Sequence, residues 1–157
     1  MGLTVRVYTD IQETNEKEYD FKVFTLEGFE KRVKNLKWRA NYKGNFVGFF
    51  IQYPYSAHTY FRDILAELIG MKKDFWRDLE SEEEVYLNNS ELPFYELFDF
   101  ADNEGCIDFE SSKNLYTDFE NYEALAKEKF NPKDYERYSN WKDAFFAAKD
   151  NGVVVFS

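Results

Sequence analysis

Strand-type runs stand at both ends of this chain, and that placement constrains its fold more than any other feature. Leu3-Thr4-Val5-Arg6-Val7-Tyr8 alternates apolar and polar side chains, which puts Leu3, Val5 and Val7 on one face of a half-buried strand. Val153-Val154-Val155-Phe156 is a short apolar strand, expected to pair with one from the N-terminal half. Two further extended segments fall in the first third. One is Phe21–Leu26. The other, Asn45–Tyr53, holds the run Phe46-Val47-Gly48-Phe49-Phe50-Ile51 and is expected to lie centrally. Residues 10–20 read as a loop and Asn41–Gly44 as a turn.

Helical spacing fills most of the rest. Glu27–Leu36 reads as a short helix through Phe29, Val33 and Leu36. Ala57–Ile69 carries Phe61, Ile64, Leu65, Leu68 and Ile69 on one stripe, with Ser56 as the expected N-cap and Gly70 at the C-terminal cap. Glu91–Ala101 repeats the pattern with Phe94, Leu97, Phe98 and Ala101. Ser111–Phe130 has Leu115, Phe119, Tyr122 and Ala126 facing inward. Asn131-Pro132 then starts a helix running to about Lys149, because Asn caps and Pro suits the first turn. Tyr138, Trp141, Phe145 and Ala148 point to its core, and Asn151-Gly152 ends it. With no βαβ alternation, repeat or linker, the expectation is one α+β domain over residues 1–157, a small sheet of N- and C-terminal strands packed with several helices.

Charge divides the chain more sharply than hydropathy does. The net charge is −10. Residues 74–123 alone carry a net −14, whereas residues 1–73 are net +3. Such a block repels phosphate and speaks against duplex nucleic acid as a partner. A single cysteine, Cys106, excludes an internal disulfide and cysteine-based zinc sites. It fits a reducing, cytoplasmic setting. The opening residues lack the apolar core of a signal peptide, and Arg6-Val7 departs from the myristoylation pattern. No apolar run approaches the roughly 20 residues of a membrane span.

Four segments resemble a family of uncharacterised small proteins from bacteria and their phages. They are Met1-Gly2-Leu3 with its alternating strand; Tyr55-Ser56 followed by Tyr60-Phe61-Arg62 and Leu65-Ala66-Glu67-Leu68; Pro93-Phe94 through Leu97, Asp102, Glu104-Gly105, Ile107, Ser112, Leu115 and Asp118-Phe119; and Trp141 through Ala144-Phe145, Ala148, Asn151-Gly152, Val154 and Phe156. The chain departs from the family's pattern at Pro54 and at Asp108-Phe109, where the second change adds a carboxylate. The resemblance implies a shared fold and a shared site, with no named reaction.

Candidate sites follow from the same segments. Asp102-Asn103-Glu104-Gly105 with Ile107 resembles the middle of a calcium loop, but the first and last ligand positions fall on Phe100 and Ser111. A looser divalent site would use Asp99, Asp102, Glu104 and Asp108. The simpler reading is a helix–turn–helix corner, with Gly105 for positive φ and Ile107 for packing. Ser56, His58 and Arg62 at a helix start can form an anion pocket, or Ser56 can simply cap. Arg62 with Asp102 or Glu104 can make an inter-helix ion pair or a shared active site. Between Lys31 and Arg62 no acid occurs, and Trp38 and Tyr42 interleave with Lys31, Arg32, Lys34, Lys37, Arg39 and Lys43. That pattern suits single-stranded nucleic acid or a solvated basic helix face. Asp78, Glu80, Glu82, Glu83 and Glu84 supply an acidic surface.

These observations favour a protein-binding module over an enzyme. It would dock on a basic partner surface through the acidic face, in concrete form as a phage or bacterial inhibitor of a nucleic-acid-processing or defence protein. The alternative is a small-ligand or metal-dependent enzyme at Ser56/Arg62 and Asp102/Glu104. No cofactor is implied, and head-to-tail self-association is a third use of the charge asymmetry.

Overall fold

A five-stranded antiparallel sheet runs in the order β2-β3-β1-β5-β4. The computed structural model describes residues 2–24, 33–79, 91–99 and 104–157. Its strands are β1 (Gly2–Thr14), β2 (Phe21–Lys22), β3 (Asn41–Pro54), β4 (Gly105–Ile107) and β5 (Val153–Phe156). Three long helices, α1 (Tyr55–Leu68), α4 (Phe109–Lys129) and α5 (Pro132–Ala148), join two single-turn helices, α2 (Trp76–Leu79) and α3 (Tyr95–Phe98). The chain is a single compact α+β domain, as its pattern of strands and helices predicts. No helix among the described residues is long and apolar enough to cross a membrane.

Alternation in β1 decides which side is which. Leu3, Val5 and Val7 face the helices and join Ile51, Phe61, Leu65, Phe119, Trp141, Phe145 and Phe156 in the main core. Tyr8 and Ile11 face the opposite side, with Phe21, Val23, Val33, Leu36, Cys106, Val153 and Val155. The sheet is therefore covered twice, by helices on one face and by residues 21–23 and 33–36 on the other. β5 pairs with β1 through Val5↔Phe156 and Tyr8↔Val153, as its sequence leads one to expect.

The helices follow local chemistry closely. Asn131 caps α5 by accepting from the Asp134 amide at 2.8 Å, and Pro132 sits in its first turn. Tyr138, Trp141, Phe145 and Ala148 are all buried. Lys142 reaches across to Glu123 at 2.7 Å and ties α5 to α4. Gly70 ends α1 at φ +79°.

Several expectations change. β1 extends through Thr14, and Asn41–Gly44 is strand rather than turn, because Asn41, Tyr42 and Lys43 pair with Thr14, Glu13 and Gln12. The predicted strand at Phe21–Leu26 is two residues long within the described part, and most of the helix expected over Glu27–Leu36 lies outside it. Within the described part, the helix expected over Glu91–Ala101 is the single turn Tyr95–Phe98. The helix–turn–helix corner is not one: Gly105, Cys106 and Ile107 hydrogen-bond to β5 opposite Phe156, Val155 and Val154. Extending the sheet satisfies these three residues' backbone groups, which a turn would leave to water. The expected role of Gly105 survives at φ +132°, and Ile107 is fully buried.

Candidate functional site

The helix-start group resolves into core chemistry. Pro54 occupies the N-cap position of α1 without a side-chain cap bond, and Ser56 is an exposed first-turn residue, so the expected Ser56 cap is absent. His58 and Arg62 are each 1% exposed. They fall on the same stripe as Phe61 and Leu65, at i, i+4, i+3 and i+7, which buries them with it. His58 Nδ1 lies 2.7 Å from Tyr53 Oη. The Trp141 Nε1–H donates to that same oxygen at 3.1 Å. Tyr53 Oη thus links the indole and the imidazole in one buried hydrogen-bonded chain. Burial, reinforced by the Arg62 charge, holds the His58 pKa well below its usual value, and burial raises that of Tyr53. The Arg62 guanidinium stacks on Trp76 at 3.8 Å, and Trp76 Nε1–H donates to Asp63 at 2.8 Å. An anion pocket of Ser56, His58 and Arg62 open to solvent is not formed.

The acidic corner disperses likewise. Asp99 accepts from Tyr95 Oη–H at 2.8 Å inside the core. Asp108 is the N-cap of α4, with Oδ1 accepting from the Ser111 amide at 2.9 Å. Its Oδ2 accepts from the Asn35 amide at 3.0 Å and from Asn35 Nδ2 at 3.1 Å. Both carboxylates are thus committed to holding the fold. Asp102 lies outside the described residues, as do Glu80, Glu82, Glu83, Glu84 and the side chain of Asp78. Among the described residues no group of three His, Cys, Asp or Glu side chains could hold a metal ion. Glu104 does not meet Arg62. It lines a cavity on the other face of the sheet with Arg6, Lys22 and Cys106.

The basic stretch is not a helix face. Residues 33–40 form turns, and Asn41–Pro54 is strand. Arg39 stacks on the exposed Trp38 at 4.2 Å, while Lys37 and Lys43 pair with Glu13 and Glu16.

What the sequence reading missed is the state of β3. The expected central strand is central only at its start, because β2 covers just Asn41 and Tyr42. Beyond Gly44, whose N–H is taken by Asp20 at 2.9 Å, no described strand flanks β3 on that side. Phe46, Val47 and Phe49 are 51%, 46% and 57% exposed. The register sets Phe46 beside Tyr8 and Phe49 beside Arg6 on the second face of the sheet. The rings form a row from buried to open: Phe21–Tyr8 at 5.3 Å, Tyr8–Phe46 at 5.6 Å and Phe46–Phe49 at 5.2 Å. Residues 45–53 carry no charge, which is unusual for a long strand edge and was visible beforehand. No family model, no curated protein and no solved structure matches the chain.

Proposed function

We propose that this chain is a protein-binding module that accepts an extended segment of a partner protein along β3. The observation that carries the reading is the uncharged run Asn45–Tyr53, which no described strand flanks on the side away from β1, with Phe46, Val47 and Phe49 exposed on it. A row of unpaired strand N–H and C=O groups is complementary to another strand, and exposed aromatic rings supply the apolar contact that gives such pairing its specificity. Contiguous exposed apolar side chains mark interaction surfaces, and the Phe46 and Phe49 rings adjoin at 5.2 Å.

The net −14 of residues 74–123 supports a partner with a basic surface, reached by electrostatic steering. In its fullest form the module is a cytoplasmic inhibitor, of phage or bacterial origin, of a nucleic-acid-processing or defence protein. The charge map and the family resemblance support that form. The enzyme alternative loses its support, because His58 and Arg62 are buried and Glu104 lies across the sheet from them.

The test is a pull-down from lysate of the native host with the wild-type chain, with Phe46→Asp/Phe49→Asp, and with Glu82, Glu83 and Glu84 reversed to Lys. A protein that binds wild type, is lost with the β3 variant and weakens with the charge reversal or with salt supports the reading. A captured protein indifferent to the β3 variant, or capture of nucleic acid alone, overturns it.

A further inference from the structure

The second face of the sheet holds a cavity of about 300 Å³ between β4, β5, β1 and residues 19–24. That volume is at the lower end of small-molecule sites, which run from about 300 to 1,000 Å³. One wall carries Arg6. Its Nε is buried without a hydrogen-bond partner, and its guanidinium makes no ion pair among the described residues. Its one bond, to Tyr8 Oη at 3.4 Å, is long. A buried guanidinium N–H left unmade keeps its desolvation cost with nothing to offset it, which a bound acceptor would supply.

The opposite charge stands on the same cavity and does not complete it. Glu104 has no hydrogen bond or ion pair among the described residues, and it does not come within ion-pair distance of Arg6. A second acid on the cavity, Asp20, is already engaged by the Gly44 amide. Register explains the separation. Arg6 lies opposite Val155, which lies opposite Cys106, while Glu104 precedes Gly105 at the end of the edge strand. Tyr19, Phe21 and Phe24 add aromatic wall, with Tyr19 and Phe24 partly open to solvent.

We infer that this cavity binds a small zwitterion of the α-amino-acid class with an apolar side chain, its carboxylate on Arg6 and its ammonium on Glu104. A simple anion would meet Arg6, or Lys22 on the same cavity, but would leave the Glu104 carboxylate unanswered. A simple amine would do the reverse. A molecule carrying both charges a few bonds apart meets both, and its apolar side chain finds the ring wall. No β3 residue lines this cavity, although Phe49 lies beside Arg6, and the site does not depend on a protein partner.

Titration by ¹H–¹⁵N NMR tests it with three probes: L-phenylalanine, N-acetyl-L-phenylalanine, which lacks the ammonium, and phenethylamine, which lacks the carboxylate. L-Phenylalanine is expected to shift the amide signals of Arg6, Gly105 and Cys106 saturably at millimolar concentration. Each single-charge probe is expected to bind about tenfold more weakly or worse, the scale of one lost charged hydrogen bond. Arg6→Gln is expected to abolish binding while the spectrum stays dispersed. Glu104→Gln, on the rim, is expected to remove the preference for L-phenylalanine over its N-acetyl form. The inference is overturned if L-phenylalanine causes no saturable shift at these amides, if the N-acetyl form binds equally well to the wild type, or if both variants bind as the wild type does.

Discussion

Asp108 and Asn35, 73 residues apart in sequence, are joined by two hydrogen bonds to one carboxylate oxygen. The other oxygen caps α4 through the Ser111 amide. One buried side chain thus starts a helix and fastens residues 33–36, whose Val33 and Leu36 cover the second face of the sheet. Asn35 also donates to Glu110 at 2.8 Å, which broadens the clasp.

Removing that clasp should cost more than an ordinary cap. Asp108→Ala is expected to lower unfolding free energy by about 2–3 kcal/mol, combining a lost cap with stranded donors. Asn35→Ala, at an exposed position, should cost about 1 kcal/mol. If the two act together, the double variant loses less than the sum by roughly 0.5–1 kcal/mol in urea unfolding. Simple additivity would mean that the Asn35 side-chain amide adds nothing to the bond its backbone amide makes with Asp108.

Gly152 and Gly70 both end helices, yet they should respond differently to alanine. A Cβ on Gly152 would lie 2.7 Å from Ala148 Cα, 2.8 Å from Ala148 O and 2.9 Å from Tyr8 O, all backbone atoms. These hold α5 against β1, so Gly152→Ala is expected to cost about 3 kcal/mol or more. Gly70 has open space around it and only its φ of +79° to resist a side chain. Gly70→Ala should cost about 1–2 kcal/mol, and Gly70→Asn less. Thermal denaturation of the three variants checks the ranking.

Local chemistry explains which parts of the molecule could be read in advance. The α5 helix was legible from Asn131-Pro132 and the Trp141 stripe, because caps and periodicity act within a few residues. The β5 strand was legible because four consecutive apolar residues have nowhere to go but a buried strand. By contrast, β4 was not, since Gly105–Ile107 is too short to show a period and becomes strand only when Val155 is beside it. His58 and Arg62 were read as a site because of their chemistry, although their spacing with Phe61 and Leu65 already placed them inward. For Phe46 and Phe49 the sequence holds no answer, because an apolar run looks the same whether or not another strand lies beside it. Glu104 and Arg6 meet one cavity only through the β1–β5–β4 register, a relationship between positions about a hundred residues apart.

Two phenylalanines separate stability from binding. Phe145 is fully buried against Phe119 and Trp141, so Phe145→Ala is expected to cost about 3–5 kcal/mol. Phe49 is mostly exposed, so Phe49→Thr, which keeps a β-favouring side chain, should change stability by no more than about 0.5 kcal/mol. A large loss at Phe49 in chemical denaturation would mean that its ring serves the fold, and the docking role of β3 would lose its main support.

The buried histidine sets a pH dependence whose sign is fixed. Unfolded His58 takes up a proton below about pH 6.5. Folded His58 does not, because burial and then the Arg62 charge hold its pKa well below that value. The unfolded state therefore binds more protons as pH falls, and stability drops by about 1.4 kcal/mol per pH unit below 6.5 until the folded pKa is reached. Above pH 7 the group contributes no slope. Asp118 works in the opposite sense at lower pH, since burial raises its pKa and folding then takes up a proton. Asp118 is the same in wild type and in a His58 variant, so comparing the two over pH 5–7 isolates the histidine. His58→Asn keeps a hydrogen-bonding group near the Nδ1 position for Tyr53 Oη and cannot titrate, so its stability should fall less steeply than the wild type over that range. Parallel pH profiles for the two proteins would show that His58 protonates in the folded state, and the neutral Trp141–Tyr53–His58 chain would have to be abandoned.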